Sequence, residues 1–176
     1  LEPLASVATG QAEGIEVLLQ KKLSEVPVYG LVSASLNRTR FTSLAGGATR
    51  GAFDLPVLVN ALAGWRPNVR WELSARVRGS SGLLTTPFVA TGPLAGTLDF
   101  TRYNAGGRLP PFFALDLRAD RRFTRRSGRQ LIVYLDVQNA TGRQNPGLPQ
   151  WNPRTGVAER EQELGVLPSI GVNWAF

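Results

Sequence analysis

The chain contains no cysteine, no methionine and no histidine. Those absences exclude disulfide frameworks, thiolate or imidazole metal sites, and every nucleophilic mechanism that uses a Ser-His-Asp or Cys-His arrangement. Chemistry, if any, would rest on carboxylates, lysine, arginine or tyrosine. Long apolar runs are missing too. Nothing approaches the roughly 20 consecutive apolar residues of a membrane-spanning helix, and the first ten residues, LEPLASVATG, carry neither the basic nor the apolar region of a secretion signal. The formal net charge of +7 raises the question of nucleic-acid binding. The basic residues are dispersed, however, in pairs no longer than Lys21-Lys22 or Arg125-Arg126, so a phosphate-tracking patch is not expected and nucleic acid is not an expected partner. A length of 176 residues fits one domain, residues 1–176.

What is present is alternation. From Val69 to Gly79, VRWELSARVRG, the residues Val69, Trp71, Leu73, Ala75 and Val77 oppose Arg70, Glu72, Ser74, Arg76 and Arg78. One face is apolar and the other charged, the period of a strand. Phe113 to Phe123 repeats the pattern, with Asp116, Arg118, Asp120 and Arg122 on the polar side and Arg121 as the one misfit. Gln11–Leu23, Gly30–Asn37, Val57–Trp65, Leu131–Asn139 and Val166–Phe176 complete seven strands, and no helix is expected. The strands are long, about 10 to 14 residues, against the usual five or six; a strand crossing a bilayer obliquely needs about 9 to 11.

Connections alternate as well. Short turns at Ser24–Pro27, Arg66–Asn68 and Arg125–Arg129 all fall at one end of the sheet, and long loops at Thr42–Ala52, Ser80–Pro111 and Thr141–Gly165 fall at the other. Outer-membrane barrels have this asymmetry. Aromatic girdles are the second expectation for such a barrel. Trp65, Trp71, Phe123, Trp174 and Phe176 lie in the apolar phase near the short-turn end, and Phe53 and Phe113 near the long-loop end. Phe41 is out of phase and calls for a bulge or a loop position.

Arg70, Glu72, Arg76, Asp116, Arg118, Asp120 and Asp136 mix both signs at polar-phase positions, as a wet or ion-paired lumen requires. On a soluble sandwich or lipocalin-like barrel the same residues would form a solvated outer face. Asp116 and Asp120 could in principle serve as paired carboxylates, but the surrounding arginines keep both ionised, whereas a general acid needs a raised pKa; an enzyme is not expected. The fold class expected is therefore all-β: an antiparallel up-and-down transmembrane β-barrel, with about eight strands in this chain or as part of a larger barrel. Glu2–Thr9, turning at Gly10, is the candidate for an eighth strand.

Several segments in order resemble the C-terminal third of TonB-dependent receptor barrels: Gly14-Ile15-Glu16-Val17; Ser81-Gly82 with Thr86-Pro87; Arg108-Leu109-Pro110-Pro111 with Leu115-Asp116-Leu117-Arg118; and Tyr134-Leu135-Asp136-Val137-Gln138-Asn139. The resemblance covers nearly the whole chain. It implies energy-coupled uptake of scarce ligands, such as siderophores, cobalamin or carbohydrates, through a barrel of about 22 strands. It also implies a place in the outer membrane among lipid and lipopolysaccharide, and contact with TonB through a plug domain that this chain does not contain. The final residues GVNWAF resemble the terminal strand read by the barrel-assembly machinery, with Gly171, Trp174 and Phe176 matching and Ile170 in place of the usual polar residue. No cofactor or metal is expected. The alternative is a self-closed eight-strand barrel, its lumen filled by side chains, with a structural or interaction role.

Overall fold

The computed structural model describes residues 8–43, 47–51, 54–124 and 129–175. Ten strands are assigned there: β1 (Ala8–Lys21), β2 (Val28–Ser43), β3 (Ala48–Arg50), β4 (Val57–Asn68), β5 (Trp71–Ser80), β6 (Phe112–Thr124), β7 (Gln130–Gln138), β8 (Pro146–Asn152), β9 (Val157–Gln162) and β10 (Leu167–Ala175). The long strands pair with their neighbours in the order β1-β2-β4-β5-β6-β7-β10, antiparallel throughout. The protein is thus an all-β, up-and-down sheet, and the seven expected strands are those of this path. β3 adds to the far end of β2, and β8 and β9 form a separate hairpin inside the third long connection. That hairpin was not expected: its run PGLPQWN holds two prolines and does not alternate, and its register shifts between Pro146 and Pro149. Among the described residues the sheet is open, with β1 and β10 as its two edges.

Register puts one continuous apolar face across all seven strands, because residues directly opposite share a face. Leu36 faces Val57, Val32 faces Ala61, Ala61 faces Val77, Val77 faces Leu115, Leu117 faces Val137 and Leu135 faces Ile170. The belt ends cleanly toward the long loops. Beyond Ile15 and Leu36 the β1-β2 hairpin continues on the same face with Glu13 opposite Arg38 and Gln11 opposite Arg40.

The same pairing is steeply staggered. Moving straight across the sheet from Pro168, near the loop end of β10, one passes Val137, Leu117, Ala75, Ala63 and Gly30 and arrives at Lys21, the last residue of β1 at the turn end. Ala175 ends β10 about seven residues further down. At ~3.3 Å per residue and ~4.8 Å between strands, that slip over six steps is a tilt of roughly 40°.

Three expectations about turns and bulges need correction. Arg66–Asn68 is not a turn: β4 runs through it with a register shift between Trp65 and Asn68, and the turn is Val69-Arg70. The Asn68 side-chain oxygen accepts from the backbone N–H groups of Arg70 (2.9 Å) and Trp71 (3.1 Å), a local bond that only Asn, Asp, Ser or Thr offers and that moves the corner two residues on. Arg70 is therefore an exposed turn residue, not a mid-strand charge. Gly10 is likewise inside β1, opposite Phe41, and no bulge marks Phe41, whose ring covers the space left by the missing Gly10 side chain. Phe53, Phe176 and residues 2–7 of the expected strand Glu2–Thr9 lie outside the described residues, and Ala8 and Thr9 belong to β1.

Aromatic rings cover glycines twice more, on the polar face. Tyr29 lies over Gly64 and Tyr134 over Gly171, each pair directly opposite in register, and a Cβ on either glycine would collide with the ring. Gly171 thus has a packing reason for being glycine. The change Gly64→Ala is expected to displace Tyr29 and lower stability by about 1–3 kcal/mol in a urea titration; an unchanged midpoint would show that the ring has free space to move into.

Candidate functional site

The polar face places carboxylates under arginines from neighbouring strands. Glu72 on β5 accepts hydrogen bonds from the Tyr29 hydroxyl on β2, from Arg66 Nε on β4 (2.8 Å) and from Arg122 on β6. One carboxylate joins four strands. Asp116 on β6 takes Arg76 Nη2 at 2.8 Å and Arg78 Nη2 at 3.2 Å from β5, and the backbone N–H of Asn139 at 3.0 Å. Asp120 takes Arg118 Nη2 from two residues back on its own strand at 2.8 Å, and the Arg118 guanidinium lies 3.8 Å over the Tyr134 ring on β7. Asp136 faces Arg118 in register. The expected lumen charges Glu72, Arg76, Asp116, Arg118, Asp120 and Asp136 are therefore brought together, and Arg70 is not.

Three of these carboxylates are among the few buried residues of the described chain, while their arginine partners stay partly exposed. Glu72, Asp116 and Asp120 are at most 8 % exposed, whereas Ile170 is 77 %, Val172 64 % and Trp174 63 % exposed on the other face. Burying charge while exposing aliphatic side chains inverts a water-soluble sheet. The polar face also divides. Its β5-to-β7 half, with Arg66 at the turn end of β4, is ion-paired, and the rest of its β1-to-β4 half carries Ser33, Ser35 and Asn60 among the exposed Leu18, Leu58 and Leu62. Among the described residues no three acidic groups converge as a metal site would require.

At the long-loop end a second set of contacts ties the three connections together. Arg108 donates from Nη2 to Asp54 Oδ2 at 2.5 Å and from Nη1 to the carbonyls of Asp54 (2.6 Å) and Gly82 (3.0 Å). The other Asp54 oxygen accepts from the Thr39 backbone N–H at 2.9 Å. Burial would raise the Asp54 pKa; the Thr39 hydrogen bond and the Arg108 guanidinium outweigh it and hold the carboxyl below its ordinary range. The Asn104 amide reaches the Arg50 carbonyl (2.7 Å), Arg143 reaches the Pro111 carbonyl (2.9 Å), and the rings of Phe88 and Trp151 lie 5.8 Å apart. Asn145 clamps both backbone groups of Phe113, at 3.0 and 2.9 Å. Below these loops a cavity of about 440 Å³ is lined by Arg78, Phe112, Asn139, Asn145, Glu163 and Leu164.

The girdle residues Trp65, Trp71, Phe123 and Trp174 are exposed on the apolar face at the short-turn end, and Phe113 stands on that face at the loop end. Sequence reasoning missed Tyr29, Arg66, Asp54 and Asn145. Tyr29 was detectable from its phase, since it shares the polar side of its strand with Leu31, Ser33 and Ser35. Asp54 and Asn145 sit in irregular segments with no periodicity to flag them. Comparison with protein-family models, curated proteins and solved structures finds no match.

Proposed function

We propose that this chain is a sector of an outer-membrane β-barrel, with its apolar belt in lipid, its short turns in the periplasm and its tied loops outside the cell. Its role is ligand uptake, as in the TonB-dependent receptors whose C-terminal strands it resembles. The inverted chemistry of the sheet carries the reading: carboxylates are buried beneath partly exposed arginines on one face while leucine, isoleucine, valine and tryptophan are exposed on the other.

Dimensions support it. The apolar run of β2 from Val28 to Leu36 is about nine residues long; at roughly 40° of tilt it stands about 23 Å high, close to the ~25 Å apolar band of outer-membrane barrels, whose strands tilt by ~35–45°. The total exposed surface, 12830 Å², is about half again the ~8,400 Å² of a compact folded monomer of this length, the excess expected of a sheet with an unpartnered face. The two open edges favour a sector of a larger barrel over a self-closed one, because in lipid every backbone N–H and C=O must be paired.

The lack of cysteine makes topology directly testable. With Arg154→Cys in the β8-β9 turn, an impermeant maleimide is expected to label intact cells; with Val69→Cys in the β4-β5 turn, only lysed ones. Labelling of Val69→Cys from outside, or a monodisperse monomer in the absence of detergent, would sink the membrane assignment. For uptake, a deletion strain should grow poorly on a limiting iron chelate, cobalamin or glycan, and undiminished growth on all three refutes transport.

A further inference from the structure

Arg121 is the one charged residue within the apolar belt among the described residues, since Lys21 stands at its lower rim. In register it lies opposite Trp71 on one side and Val133 on the other. Its guanidinium is 4.8 Å from the Trp71 ring and 5.4 Å from the Phe123 ring. No carboxylate among the described residues reaches it; every ion pair found there belongs to another arginine. A cation on a hydrocarbon-facing surface is expensive, so an arginine held there by two rings, with no anion among the described residues, is open to one from outside the protein.

Beside it, where Phe123, Leu131 and Trp174 share its face, runs a groove of about 320 Å³ lined by these three residues with Arg129 and Gln130. Phe123 forms a wall of the groove and one of the two rings at Arg121. An apolar trough with the Arg129 guanidinium in its lining and that of Arg121 against the shared Phe123 ring matches one kind of molecule: an acyl chain joined to a phosphodiester, which a guanidinium binds through two parallel N–H donors. We propose that Arg121, Arg129 and the Phe123-Leu131-Trp174 groove form a binding site for an anionic phospholipid of the periplasmic leaflet. The proposal rests on the membrane reading above, which sets this end of the sheet in that leaflet.

The test uses the protein produced from its natural reading frame and reconstituted into nanodiscs of phosphatidylglycerol and phosphatidylcholine, with the lipids retained after mild extraction counted by native mass spectrometry. Wild-type protein is expected to retain phosphatidylglycerol over phosphatidylcholine. Arg121→Gln should reduce that preference about fivefold and the double change with Arg129→Gln more, as each guanidinium near an anionic surface contributes about that factor. Arg121→Lys keeps the charge but loses the planar fork and should fall between. Equal retention by the wild type and the double variant, both correctly inserted by the maleimide pattern, overturns the lipid site and leaves the barrel standing. A protein that is soluble without detergent overturns both.

Discussion

A single arginine in place of Leu117 is expected to cost about 2–4 kcal/mol of folding stability in lipid vesicles, the penalty for a basic side chain near the bilayer midplane on the outer face of a barrel. Leu117 lies near the middle of the apolar stretch of β6 and is 43 % exposed. For a water-soluble sheet the same substitution at so exposed a position would change stability by only about ±0.5 kcal/mol. The two environments therefore predict different magnitudes for one mutation. Asn173→Arg on the opposite face of β10 is the internal control, expected to stay within about 1 kcal/mol, because that face already takes charge. Urea unfolding followed through the four tryptophans reads both changes. A loss below about 0.5 kcal/mol for Leu117→Arg would remove lipid from the account of this face.

That face was largely legible in the sequence, because in a strand the side-chain period alone assigns each residue to a side, and here both sides are chemically distinct. Alternation alone locates all seven long strands and puts Trp65, Trp71, Phe123 and Trp174 on the apolar side. Arg121 was legible only as a misfit; its partners Trp71 and Phe123 make sense of it once β5 and β6 are aligned. Strand ends were harder to read. Asn68 moved a turn by two residues through side-chain bonds to the backbone, and Gly10 read as a turn where it is a strand residue beneath a ring. Glu72 shows the limit for the polar network. Its phase was evident, but its three donors come from residues 43, 6 and 50 positions away, and only register brings those strands alongside. The loop contacts were least legible, since Asp54, Arg108 and Asn145 lie in segments without a repeat.

Those loop contacts set up the other large effect. Arg108→Ala is expected to release the first two long connections, because it leaves the Asp54 carboxylate, 3 % exposed, with the Thr39 N–H and no hydrogen-bonded cation, Arg50 acting only at a distance. Stranding one member of a buried ion pair costs about 3–5 kcal/mol; Arg108 itself is 23 % exposed, which reduces the expected figure to about 2–4 kcal/mol. The sheet retains its own pairing, so the loss should be local. Amide exchange at Thr39, Asp54 and Leu109, whose N–H groups bond to Asp54, Gly51 and Leu83, should accelerate while β5 and β6 stay protected. The pH dependence gives the sharper signature. In the wild type the Asp54 pKa is depressed, so the contribution of the clasp is complete above the unfolded value near 3.9 and fades as pH falls through the lower folded value. In Arg108→Ala only the Thr39 N–H and the more distant Arg50 still oppose burial, so the Asp54 pKa should rise from its wild-type position and the loss of loop protection on acidification should shrink. The wild type thus loses loop protection as pH falls, and the variant, already released, loses less. Exchange rates that are identical at neutral pH would show that Arg108 does not hold these loops.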